Sequence, residues 1–256
     1  TNGNAAQGGG IYCDGASPTI AGCVISNNDA TTNGGGLYIA NGTINLIDTT
    51  IENNRANSGS GGAISSFYSD PVVTNCKFES NTAFNYGGAI DIVYGSGHIV
   101  NCVFLSGTGG LGGAISSGGK SGYTTQIVNC TLYGNTADRG GGAIYHGYDG
   151  GYLKVTNCIL WNNTSTSYAD ELYTTAPETV TISYCDIEDC KPLGSWDESL
   201  GVDGGGNTDD DPLFAAAPVA YWKMDDSAAN PWVVGLNGVP TERVKNGTFE
   251  DDTEWT

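Results

Sequence analysis

Basic side chains are the scarcest resource in this sequence. Lys and Arg number 9 against 28 Asp and Glu, His appears twice, and 256 residues carry a formal net charge of −19. That balance excludes a nucleic-acid surface and an anionic-membrane surface, because both need a basic footprint. No run of 18 apolar residues occurs, so no segment reads as a membrane-spanning helix. No signal peptide is present, and the chain opens inside a repeat at Thr1-Asn2-Gly3, as a processed or trimmed piece would. There is no CxxC pair, which with so few His argues against zinc. Gly is abundant, at 40 residues, but without a Gly-X-Y period, so collagen is excluded. An acidic, Asn/Thr/Gly-rich, Lys-poor composition fits a secreted or cell-surface protein.

What the sequence does have is a repeat. Gly61-Gly62-Ala63-Ile64 recurs as Gly87 to Ile90, Gly112 to Ile115 and Gly141 to Ile144. Gly8-Gly9-Gly10-Ile11 and Gly34-Gly35-Gly36-Leu37 are near copies, and Ala169-Asp170-Glu171-Leu172 is a decayed one. The closing apolar residues at 11, 37, 64, 90, 115, 144 and 172 are separated by 26, 27, 26, 25, 29 and 28 residues. A period of this size means stacked units, each touching only its neighbours. A second signature follows the first in each unit, apolar-x-Cys-x-apolar-x-x-Asn, as in Thr74 to Asn81 and Val128 to Asn135. Its period of two, with charge at Glu52, Lys77, Glu79, Asp186 and Glu188, predicts half-buried strands. The expected inward set is the Cys parity: Val100, Cys102 and Phe104, or Val128, Cys130 and Leu132.

Equivalent strands that recur in the same direction must stack in parallel. The predicted fold is therefore all-β, a right-handed parallel β-helix solenoid of about seven to eight coils, the hand following from crossover chirality. Leucine-rich repeats need a helical or LxxLxL segment, and none is visible. Residues 1–214 are assigned to the solenoid and 215–256 to a C-terminal extension.

Cys23, Cys76, Cys102, Cys130, Cys158 and Cys185 share one slot of the repeat, with Thr49 in the gap. Stacked strands put equivalent side chains about 4.8 Å apart and parallel, whereas a disulfide wants Cβ atoms about 3.8 Å apart and turned toward each other. The slot is read as a column of buried free thiols. Cys13 and Cys190 lie outside it and could be reactive or paired. Asn28, Asn54, Asn81, Asn135 and Asn163 close each unit; Asn suits left-handed turns, and stacked amides can bond from coil to coil. Gly107 and Cys190 replace it in two coils. The paired Gly would turn a tight corner.

The GGA[IL] and [FIL]xxN pattern, as in Gly61 to Ile64 followed by Phe78-Glu79-Ser80-Asn81, resembles the repeats of polymorphic outer-membrane proteins and other bacterial surface β-helix proteins. The likeness covers roughly residues 8–214. It implies a surface-displayed structural or adhesive module and supplies no catalytic residues.

Paired carboxylates on adjacent coils would be needed for a polysaccharide hydrolase, and a basic residue beside a cation for a lyase. The candidates are Asp91, His98, Arg139, His146, Asp149 and Lys154, and none has a partner on the next coil. The expectation is a non-catalytic extracellular structural or adhesive module; the alternative is a carbohydrate-active enzyme or a glycan-binding module. No cofactor is called for except calcium, for which Asp203, Asp209, Asp210 and Asp211 are the candidate ligands; a solvated acidic loop is the competing reading. Leu213 and Phe214 are expected to cover the open core end. Beyond them the repeat stops. Tyr221-Trp222 resembles the start of a laminin-G-like sandwich and Val244 to Glu250 the start of a galactose-binding jelly roll, but 42 residues are too few for either. Trp222, Trp232, Phe249 and Trp255 would serve assembly, joining a neighbouring subunit head to tail in a filament. A linker to a further domain, or packing along the solenoid's own side, remain open. The partners expected are a second copy or cell-surface glycans and proteins, with no nucleic acid.

Overall fold

The computed structural model describes residues 1–119, 122–147, 151–191 and 194–214, and the backbone of two short strands at Val244–Lys245 and Thr248–Phe249. The described chain winds into a parallel β-helix. Four sheets run its length, of seven, seven, eight and seven strands. In one coil they are Arg55–Ala56, Ile64–Phe67, Val72–Thr74 and Lys77–Glu79, and we number the sheets one to four in that order. Every pairing between coils is parallel, with Ile64 beside Leu37 and Ile90 for example, and the register shifts only between Gly109 and Leu111.

The sequence pattern marks two strands per coil where the structure has four. The reason is a corner residue just ahead of each Cys. Asp48, Asn75, Asn101, Asn129 and Asn157 all hold positive φ, between 48° and 55°. A left-handed residue breaks the strand and resets its parity. Ile99 and Cys102 therefore both point inward, and Val100 and Val128, expected inside, are only half-buried on the outer side. These corners carry their own amide ladder. Asn75 donates to Asp48 at 3.0 Å, Asn101 to Asn75 at 3.2 Å, Asn129 to Asn101 at 3.2 Å and Asn157 to Asn129 at 2.7 Å.

The repeated Gly pair turns another corner. Gly61 sits at φ +65°, and a Cβ on Gly62 would lie 2.2 Å from the carbonyl oxygen of Gly88 in the next coil. The first Gly supplies the left-handed turn and the second lets two backbones touch.

Inside, like stacks on like. Leu37, Ile64, Ile90, Ile115, Ile144 and Leu172 form one fully buried column, and Phe78 and Phe104 stack with centroids 4.7 Å apart. Each such side chain contributes roughly 2 kcal/mol of burial.

Two polar columns run through this core. In the thiol column, the Cys76 N–H donates to Cys102 Sγ, Cys102 to Cys130, Cys130 to Cys158 and Cys158 to Cys185, each at 3.4 Å. Each thiol donates back to a carbonyl two residues earlier, as Cys76 does to Thr74 at 3.2 Å. Thr49 makes the same pair of bonds, accepting from the Cys23 N–H and donating to Ile47, which is why a hydroxyl can stand in the slot. Asn207 ends the column by accepting from the Cys185 N–H at 2.9 Å. All eight cysteines are free; Cys23, in the first coil, is exposed, and Cys13 is half-buried.

In the amide column, Asn28 donates to Asn54 at 2.8 Å, Asn54 to Asn81 at 3.1 Å and Asn135 to Asn163 at 2.8 Å. These Asn side chains point inward. The left-handed residues are the ones before them, Asn27, Asn53, Ser80 and Asn162 among them. Gly107 interrupts the column, though its N–H still donates to Asn135 Oδ1 at 2.8 Å. The far end explains the decayed repeat. Coil seven offers no Asn, and Asn163 instead gives its backbone N–H and its amide to Glu171, at 3.1 and 2.6 Å. Glu171 occupies the slot that holds Ala63, Ala89, Ala114 and Ala143 in the coils before.

The core end is closed by a loop the sequence pattern did not mark. Leu200 is buried in the core and Trp196 packs against it, donating its indole N–H to the Gly201 carbonyl at 2.8 Å. The expectation that Leu213 and Phe214 cover this end is overturned. Leu213 is 64% exposed, and Phe214 meets Tyr133 on the outside of the fourth sheet. Asp197 to Gly201 fills the end first, so the chain leaves the axis before it reaches Leu213.

Two outcomes test this architecture. In the native protein a thiol reagent should modify Cys23 and spare Cys76, Cys102, Cys130, Cys158 and Cys185, while denaturant without reductant should release all eight thiols; a denatured count below five would mean disulfides hold the column. Glu171→Ala restores the repeat motif yet should destabilise the protein by about 2–4 kcal/mol in urea unfolding, because Asn163 loses two buried bonds. Unchanged or increased stability would show that the ladder needs no terminal acceptor.

Candidate functional site

The outward face of the second sheet collects the side chains with most chemical potential. Its register aligns Tyr12, Tyr38, Ser65, Asp91, Ser116, Tyr145 and Tyr173 in one column. Tyr12 stacks on Tyr38 at one end, with centroids 5.4 Å apart. At the other end Tyr145 lies between Tyr86, at 5.9 Å, and Tyr173, at 5.8 Å. Arg139 lies 5.7 Å over the Tyr86 ring. Between the aromatic ends lie three small polar residues.

Asp91 is the middle one. It is 3% exposed, and its Oδ1 has no hydrogen-bond partner among the described residues; the neighbouring Ser116 Oγ is in the same position. Burial pushes the Asp91 carboxyl up to about 7, against the smaller opposing pull of the Ser116 and Ser60 hydroxyls. A carboxyl that titrates near neutrality can serve as a general acid. Its column holds no second carboxylate and no base.

His146 is on the other side of the same sheet. Its column is Cys13, Ile39, Ser66, Ile92, Ser117, His146 and Thr174, facing the core. Nδ1 lies 2.9 Å from Ser117 Oγ and Nε2 3.2 Å from the Gly151 carbonyl. With Nε2 carrying the proton toward Gly151, Nδ1 accepts from the serine, and both nitrogens are satisfied. Burial lowers its pKa and keeps the ring neutral. The strand pleat thus puts Asp91 and His146 on opposite faces. Of the other candidates, His98 is exposed on the third sheet, in one outward column with Gln126 and Lys154. Asp149 lies outside the described residues.

The candidate calcium ligands are dispersed. Asp203 Oδ1 accepts from the Gly205 N–H at 2.9 Å and the Asn207 amide at 2.7 Å. Asp209 accepts from the Asp189 N–H at 2.9 Å and Asp211 from the Leu213 N–H at 2.8 Å, while the Asp210 N–H donates to Asp186 at 3.1 Å. Among the described residues no three His, Cys, Asp or Glu side chains converge in a way that would hold a metal ion. Asp186, read in the sequence as an outward charge, is in fact buried and pushed up to about 6, burial being the main cause. Of the assembly residues, Trp222, Trp232 and Trp255 lie outside the described residues, and Phe249 is described only as backbone in a short antiparallel pair with Val244.

A second aromatic group was not legible in the pattern. Tyr68 and Tyr94 hold φ of 49° and 56° at one corner, the position Asn41 takes in the preceding coil. Bulky residues in this region cost about 1–2 kcal/mol each. Their rings stack 5.0 Å apart beside Phe67, and Phe67 and Tyr68 are 36% and 47% exposed.

A raised carboxyl pKa gives stability at low pH that is lost as pH rises through the folded value. Unfolding midpoints in urea should therefore fall between about pH 4 and pH 7, and Asp91→Asn should remove a few kcal/mol of that fall, leaving the share of Asp186 and Glu171, which shift the same way. An unaltered pH slope in Asp91→Asn would show that this carboxyl ionises normally in the fold.

In comparison with known proteins, the family described as right handed beta helix region matches the chain over residues 9–167. No curated protein and no solved structure matches the chain. The matched span is more than half of the sequence and coincides with the stacked coils described above, and on that ground the chain belongs to the right-handed β-helix region family.

Proposed function

We propose that this protein is an extracellular structural or adhesive module that works through the faces of its solenoid and carries out no chemistry of its own. One observation carries the reading. The side chains that could do chemistry are built into the coil-to-coil lattice: His146 is bonded at both nitrogens, and Asp91 stands alone in its column. The acidic surface, with its few basic groups, and the resemblance of the GGA[IL] and [FIL]xxN motifs to polymorphic outer-membrane protein repeats support a surface location. No described helix is long and apolar enough to cross a membrane.

Glycan binding is the second reading, and the exposed aromatic corner favours it. Phe67 and the Tyr68 ring, stacked on Tyr94 and held there against backbone preference, offer exposed aromatic surface for sugar C–H groups.

Incubation with pectin, alginate or a glycosaminoglycan should release no new reducing ends and no unsaturated products. Cleavage that Asp91→Asn or His146→Gln abolishes would overturn the non-catalytic reading. In a glycan-array screen, any signal that drops in the Tyr68→Ala/Tyr94→Ala double variant assigns the corner as the contact; a signal untouched by it removes that assignment.

A further inference from the structure

The outer face of the fourth sheet changes character along the solenoid. Two outward columns run on it. One is Val24, Thr50, Lys77, Val103, Thr131, Ile159 and Asp186; the other is Ser26, Glu52, Glu79, Leu105, Tyr133 and Trp161. In the early coils Val24 is 60% exposed and Lys77 pairs with Glu79 at 2.6 Å on half-exposed side chains, the small Ser26 alone being buried there. From the next coil onward most of these positions are apolar: Val103, Leu105, Tyr133, Ile159 and Trp161, with Thr131 between them and Asp186 at the end. Val103 and Leu105 point out of the coil and are nevertheless 1% and 4% exposed, and Thr131, equally outward, is 1% exposed, its hydroxyl without a hydrogen-bond partner among the described residues. A small Ser can be shielded by its neighbours, but outward side chains as large as Val103 and Leu105 reach such burial beneath a covering layer.

The chain's own path shows where the layer comes from. Thr208 bridges Asp186 on the last strand of this sheet, and the Asp210 N–H donates to the same Asp186. Four residues later the Phe214 ring meets Tyr133 edge-on, with centroids 5.4 Å apart. Tyr133 is two coils back from Asp186. Residues 208–214 therefore run backward along this face, toward Val103 and Leu105 one coil further. Beyond Phe214 come 42 residues that include Trp222, Trp232, Val233, Val234, Phe249 and Trp255. Too short for a sandwich of its own, this segment has apolar anchors in need of a surface.

We propose that residues 215–256 continue this return path and dock on the fourth sheet of their own chain, seated on Val103, Leu105, Tyr133, Ile159 and Trp161. The occupant is set by continuity, since Phe214 is already in place, and by matched length, since the strip lies within a few coils of where the described chain ends. This replaces the head-to-tail connector expected from the sequence. It also gives the outward apolar residues a reason, as the strip begins where the charged pair Lys77–Glu79 stops. The inference does not depend on whether the module is adhesive.

The full-length protein tests it. Trypsin sites at Lys223, Arg243 and Lys245 lie in the segment, so mass spectrometry can follow their cleavage while peptides from the coils report on the solenoid. Leu105→Asp should speed cleavage at these sites by about tenfold, because cleavage follows the population of the undocked state. Thr50→Asp, two coils earlier on the same face, should not. Reciprocally, Trp222→Ala/Trp232→Ala in the full chain should raise hydroxyl-radical labelling of Tyr133 and Trp161 several-fold while circular dichroism stays that of the wild type, which guards against a Leu105 variant that merely fails to fold. Protection unchanged over about a hundredfold range of protein concentration supports docking on the same chain. Protection that grows with concentration would assign the strip to a second copy's segment, and equal cleavage and labelling in wild type and variants would mean that nothing from 215–256 covers it; either result overturns the proposal.

Discussion

Everything in this molecule depends on parallel coils stacking in register, so that each residue sits about 4.8 Å from its own counterpart in the next coil. Under that constraint a residue type works only if it can neighbour itself. Ile and Leu do so by contact. Cys, Thr and Asn do so because each offers a donor and an acceptor along the axis. The buried amide column is the strictest case: Asn28, Asn54 and Asn135 donate to the Asn one coil on, Asn81 facing Gly107 donates to the Ile51 carbonyl, and Glu171 is recruited where the next Asn is missing beyond Asn163. The loss of the GGAI motif at Ala169 to Leu172 is thus a structural substitution rather than decay.

In this chain the candidate reactive groups of the second sheet stand apart: the column of Asp91 holds no second carboxylate, and that of His146 no carboxylate. The pleat then separates what does fall on one strand. Asp91 faces outward and His146 inward on the same sheet. The polar groups that remain are spent on backbone bonds in turns, as with Asp203, Asp209 and Asp211. What the fold leaves free is surface, and its unusual features are aromatic: the tyrosine column of the second sheet, the strained pair Tyr68 and Tyr94, and the apolar strip of the fourth sheet.

Those aromatic features divide by exposure. Tyr38 and Tyr145 are nearly buried, and burial raises both phenols, so they serve as packing over the sheet. Tyr68 and Phe67 stay open to solvent and fit recognition. On the fourth sheet the outward Val103, Leu105 and Thr131 are covered while Tyr133, Ile159 and Trp161 are half-buried, which fits a docked segment rather than a passing ligand.

The sequence by itself determined the fold class, the period, the stacking direction and the free thiol column, because each follows from repetition: a slot filled by Ile or Cys in coil after coil has one physical meaning. It also marked Asp91 and His146 as the side chains to examine. Only the tertiary structure decided what depends on corners and on ends. The left-handed residues before each Cys reversed the parity expected for Val100 and Val128, since one positive φ, invisible in an alternation of apolar residues, turns the chain by a side. Trp196 took the capping role expected of Leu213 and Phe214, and Asp186 proved buried, because the last coil has no repeat to be read from and its packing is set by contacts far apart in the chain.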